Sequence, residues 1–177
     1  GDRDEQFLRS YIEKMSENKL DPGAALEEYL KVQKSMKEGS SKMMEFLMTY
    51  SDFFILGGEA ERILKTNEKE YMDIATDVEE KKVSLIYSKM MNRAHSEALD
   101  NKDVAMYELF VDRWLKLPEK PYYQDYNDLR LDLMLLKGNM KDYKKEAITY
   151  LDSIVDTRSA DQVREEDEKR YEDYCKK

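Results

Sequence analysis

The chain has 177 residues, enough for a domain with its own core, and it is acidic: 30 Lys and Arg against 39 Asp and Glu give a net charge of −9. That repulsion argues against nucleic acid and anionic membrane surfaces, whose affinity comes largely from clustered Lys and Arg. Hydrophobic residues at 41% exclude a disordered chain, and no apolar run approaches the roughly 18 to 20 residues of a membrane span.

With only six Gly and three Pro, few turns are available and long helices are favoured. A first helix is predicted over about 4–18, with Phe7, Leu8, Tyr11, Ile12 and Met15 on one face and Glu5–Arg9 as an i, i+4 pair. Asp21 and Pro22 start a second helix, as cap and first position, carrying Ala25, Leu26, Tyr29, Leu30 and Val32 until Gly39-Ser40-Ser41 ends it. From Met43 to Leu56 the chain is apolar almost all round, which predicts a helix buried on several sides at the centre of the core. Gly57-Gly58 break it.

Between 59 and 75, Ala60, Ile63 and Leu64 indicate a short helix, and Asn67 with Glu70 reads as a capping box starting another. Asp77 with Glu80 repeats that signal before a long helix over about 78–99, with Val83, Ile86, Tyr87, Met90, Met91, Ala94 and Ala98 on one side. The next helix, about 103–117, turns Val104, Tyr107, Phe110, Val111, Trp114 and Leu115 inward, and Pro118 and Pro121 close it. Pro121 opens a helix with Tyr122, Tyr126, Leu129, Leu133 and Leu136 on one stripe, stopped by Gly138. A helix over about 141–155 places Tyr143, Ala147, Tyr150, Leu151, Ile154 and Val155 inward. A final, polar helix starts at Ser159, boxed with Gln162, and reads as a solenoid end exposed on its outer side.

Two polar turns stand out, Asn101-Lys102-Asp103 and Asn139-Met140-Lys141-Asp142-Tyr143. They lie about 38 residues apart, inside the range of stacked helix–turn–helix repeats. The segment from Leu136 to Ile148 resembles the middle of a tetratricopeptide repeat, where a Gly-Asn turn leads into a second helix with a small Ala, here Ala147. Asn101 to Leu117 and Asp21 to Leu30 are weaker copies. The resemblance implies one helical-repeat domain over 1–177: an all-α, right-handed solenoid of about four helix pairs with a polar C-terminal capping helix. The chain is also similar to the helical C-terminal extension of some bacterial secreted thioredoxin-like proteins, which implies an extracytoplasmic location and a redox domain elsewhere in the polypeptide. The start Gly1-Asp2-Arg3-Asp4, without Met or signal pattern, reads as a tag remnant followed by an internal segment of a longer protein.

No residue pattern indicates chemistry, a cofactor or a metal. His95 is the only histidine, with no Glu-x-x-His or His-x-x-x-His spacing, and reads as a surface or half-buried helix residue. Cys175 can form no internal disulfide and sits beside Glu172 and Asp173, which raise rather than lower a thiol pKa. One thiol leaves secretion and cytoplasmic residence both open. Asp52 reads as a residue near a helix end, and Glu165-Glu166-Asp167-Glu168 as a solvated face. The aromatic cluster Tyr107, Trp114, Tyr122, Tyr123 and Tyr126 suits either the core or a partner-binding groove. The sequence therefore points to a non-catalytic protein-interaction or scaffold module of a larger bacterial protein. Its partner is a protein, a peptide or a neighbouring domain. Two alternatives stand beside it, an accessory domain of a thioredoxin-like oxidoreductase and a self-associating structural domain.

Overall fold

The computed structural model describes residues 2–73, 77–117, 125–154 and 169. Among them the chain is all-helical and without strands: α1 (Asp2–Glu17), α2 (Gly23–Val32), α3 (Ser41–Thr49), α4 (Glu59–Thr66), α5 (Glu68–Asp73), α6 (Asp77–Asn101), α7 (Val104–Leu115), α8 (Tyr126–Leu136) and α9 (Met140–Ile154). It divides into two compact units, Gly1–Asp125 and Tyr126–Lys177. The Pro118 and Pro121 helix stops, the Ser159 capping box with its polar helix, and Cys175 lie outside the described residues.

Three helix pairs, α1–α2, α6–α7 and α8–α9, share one kind of joint. Lys19, Lys102 and Gly138 each take a left-handed backbone, with φ of 57°, 54° and 69°. The next amide then reaches back to close the helix: Leu20 to the Met15 carbonyl, Asp103 to Ala98 and Asn139 to Met134. Asp103 goes on to accept from the Met106 amide, and Asn139 from that of Asp142. The structural equivalents are thus Lys102 and Gly138, 36 residues apart. The asparagines Asn101 and Asn139 do not occupy matching positions.

Only glycine adopts the left-handed region without steric cost, so the two later joints respond oppositely to substitution. Gly138→Val is expected to cost about 1 to 2 kcal/mol through backbone strain alone, since nothing lies within 4 Å of the added Cβ. Lys102→Gly is expected to stabilise by about 1 kcal/mol. Urea titrations of the two variants check both signs.

In the first unit α1 packs on α2, α2 on α4, α3 and α5 on α6, and α6 on α7. The core is built from Ile12, Leu26, Tyr29, Met43, Leu47, Phe54, Ile63, Ile86, Met90, Tyr107 and Phe110, each 1% exposed or less. The apolar stretch 43–56 is central to it, but not as one helix. Helix α3 stops at Thr49, and Phe54 and Leu56 are buried from the turns that follow. Those turns are held by α6: Lys89 Nζ meets Asp52 at 2.9 Å and Ser51 Oγ at 3.1 Å, and Arg93 Nη1 donates to the Phe53 carbonyl at 2.7 Å. With these bonds made by α6, the apolar run Phe53 to Leu56 can continue through the turns and reads like helix.

Other local expectations shift for similar reasons. Glu5 accepts from the Lys34 amide and the Ser35 hydroxyl, and the ion pair of Arg9 is with Glu13. Asp21 accepts from the Gly23 amide, and Pro22 caps α2 rather than opening it. The Asn67 side chain donates back to the Ile63 carbonyl and to Glu38. The start of α4 is capped at long range: the Glu59 amide donates to Glu27 of α2 at 2.7 Å. A Cβ on Gly58 would overlap that carboxylate, so Glu27 would have to shift away from the Glu59 amide.

Candidate functional site

Of the five aromatic residues that suited either the core or a groove, the two on α7 lie in the core. Tyr107 is fully buried and Trp114 is 4% exposed. Tyr107 packs against His95 and Phe110 with ring centroids 5.7 and 5.8 Å apart, and His95 is half-buried as expected. Both candidates on α7 are therefore core residues, closed to a partner by the helices that cover them. Tyr126, expected to face inward, is 44% exposed at the start of α8, in the other unit. Tyr122 and Tyr123 lie outside the described residues.

The charged clusters of the first unit serve the chain itself. A cleft of about 480 Å³ is lined by Ser16, Leu20, Asp21, Phe53, Arg93 and Glu97, among others. At its centre the Arg93 guanidinium is committed to Asp21 at 2.6 Å, to Glu97 at 2.8 Å and to the Phe53 carbonyl. An incoming anion would have to displace the chain's own carboxylates, so the arrangement works as a clamp on the α1–α2 joint and the turns after α3. Glu61 on α4 forms a second node. Although 3% exposed, it accepts from the Gly57 amide at 2.6 Å, from Arg113 Nε at 2.7 Å and from Lys65. Burial pushes its carboxyl up, but the Lys65, Arg113 and Gly57 donors outweigh that and hold it below the usual range. Burial also raises the nearby Tyr87 hydroxyl, with Glu61 adding to the shift. Among the described residues no group of His, Cys, Asp and Glu is placed to hold a metal, and no helix is long and apolar enough to cross a membrane.

Among their charged side chains the helices also present large apolar ones outward. On α1, Phe7 and Tyr11 are 68% and 48% exposed and stack nearly parallel, centroids 6.1 Å apart and planes inclined by 7°. Ile12, on the side turned to α2, is 1% exposed. At about 100° per residue, Phe7, Ser10, Tyr11 and Lys14 form one stripe and Leu8, Ile12 and Met15 another. The polar Ser10 and Lys14 on the same stripe as the rings are the sequence signal that separates the two. On α9, Met140, Ile148 and Leu151 are exposed, Leu151 against expectation. Here Tyr143 and Tyr150, half-buried, take the inner side, and Arg130 of α8 pairs with Glu146 at 3.2 Å.

Comparison with protein-family models, curated proteins and solved structures finds no match. The reading of function therefore stands on the chain's own surface. Its rings and aliphatic side chains are displayed on helices rather than gathered around a cavity.

Proposed function

We propose that this chain is a non-catalytic protein-binding module, engaging a separate protein or a neighbouring domain of the same polypeptide through exposed helix faces. Its helix pairs are taken as units of a right-handed, tetratricopeptide-like stack, a form that generates extended binding faces. The shared joint geometry of α1–α2, α6–α7 and α8–α9 supports that stack.

The observation that carries the binding reading is the stacked pair Phe7–Tyr11. Two large rings held in register on the outer side of a helix leave much of their area to solvent, and aromatic rings are enriched among interface anchors. Stacking on each other fixes their rotamers beforehand, which lowers the entropy lost on binding.

The test is to place the photoreactive benzoylphenylalanine at position 7 in living cells, with a control at exposed Glu28 on α2. A discrete adduct with another protein at position 7 alone is the expected result. An adduct between two copies would shift the reading to self-association, and no adduct would remove Phe7 from any interface.

A further inference from the structure

The outer face of α9 carries three lysines among exposed apolar side chains. Lys141, Lys144 and Lys145 are exposed and make no ion pair among the described residues. Of the acids on the helix, Asp142 bonds Asn139 at 2.8 Å and Glu146 pairs with Arg130, which leaves exposed Asp152 against the three lysines. Interleaved with the lysines are Met140, Ile148 and Leu151, 48%, 60% and 56% exposed. At about 100° per residue, Met140, Lys144, Ile148 and Leu151 fall within one quadrant of the helix, with Lys141, Asp152 and Lys145 spread over roughly the next 60°. A chain of net charge −9 thus carries a basic, apolar strip on one rigid helix.

We propose that this strip docks an acidic amphipathic segment of a partner protein, which rests on the binding-module reading above. Apolar side chains of the segment would cover Met140, Ile148 and Leu151, and its Asp and Glu would meet the three lysines. Charge complementarity selects this occupant. Screening confines the lysine field to about 8–10 Å at physiological salt, so a short peptide senses the strip rather than the whole acidic molecule. A membrane would face the full net charge, and this face shows a nucleic acid no aromatic ring for its bases, since Tyr143 and Tyr150 turn inward.

The experiment is selection of a displayed random 16-residue peptide library on the whole chain, then fluorescence anisotropy with the most enriched peptide. Enriched peptides are expected to mix Asp and Glu with Leu, Ile or Phe, to bind more weakly as salt rises, and to lose about tenfold or more in affinity for K141E/K144E/K145E. These lysines are exposed, so circular dichroism of that variant should match the parent. Enrichment without acidic residues, or equal affinity for the reversed variant, overturns the proposal. If the peptides instead depend on Phe7 and Tyr11, the binding-module reading survives and this one falls, whereas no enrichment at all overturns both. Lysine-dependent flotation with phosphatidylserine vesicles, or a lysine-dependent rise in sedimentation mass, would give the strip to a membrane or a second copy and equally overturn it.

Discussion

Tyr107→Ala is expected to destabilise the protein by about 3 to 5 kcal/mol, the range for removing a large ring from a packed core. Tyr107 is fully buried, with His95 and Phe110 against its ring, and α7 is the helix that α6 packs on most extensively. For a chain of this size each kcal/mol is worth about 2 to 4 °C, so a melting temperature lower by about 10 °C is expected. Tyr126→Ala, at a ring 44% exposed, should change it by about 1 °C or less. Equal losses in the two variants would mean that the assignment of Tyr107 to the core and Tyr126 to the surface is wrong.

The second large effect is expected at Glu61. Replacing it with Leu leaves the part-buried Gly57 amide without its acceptor and strips Arg113 of one of two carboxylates, the other being Asp112 at 2.6 Å. Removing one member of a buried pair typically costs about 3 to 5 kcal/mol. Because Arg113 keeps Asp112 and Lys65 can turn to solvent, about 2 to 3 kcal/mol is the expected loss. The same carboxylate makes stability pH-dependent with a definite sign. Its folded pKa lies below the unfolded value of 4.5, so its contribution is complete above that pH and is lost as pH falls through the folded value. Glu61→Gln should therefore be less stable than the parent at pH 7 and lose less on acidification from pH 5 to pH 3. Parallel stability–pH curves for the two proteins would contradict that account of Glu61.

Elements with both a start signal and a stripe were readable from sequence. Helix α7 is the clearest, with Asp103 as cap and Tyr107, Phe110, Val111 and Trp114 buried at helical spacing. Leu115, counted with them, is 50% exposed, because the stripe facing α6 is narrower than the run of apolar residues. The helix boundary after Thr49 was missed because Phe53, Phe54, Ile55 and Leu56 continue the apolar run through the turns, and only Ser51 and Asp52 mark the break. Long-range nodes were invisible for a different reason. Glu61 meets Arg113, 52 positions away, and Arg93 meets Asp21 across 72, and no local pattern encodes either. Aromatic residues were the hardest to assign. A ring at helical spacing carries the same signal whether it faces core or solvent, and only the polar Ser10 and Lys14 beside Phe7 and Tyr11 set the exposed pair apart from Tyr107 and Trp114.

The central claim is that the exposed rings of α1 serve binding and not folding. It is tested most directly by comparing the parent with Phe7→Ala/Tyr11→Ala in one paired experiment, a thermal melt and quantitative capture of the protein cross-linked at position 7. The account predicts a melting temperature within about 2 °C of the parent together with at least tenfold less captured partner. Undiminished capture, or a melting-temperature loss approaching that of Tyr107→Ala, would contradict it.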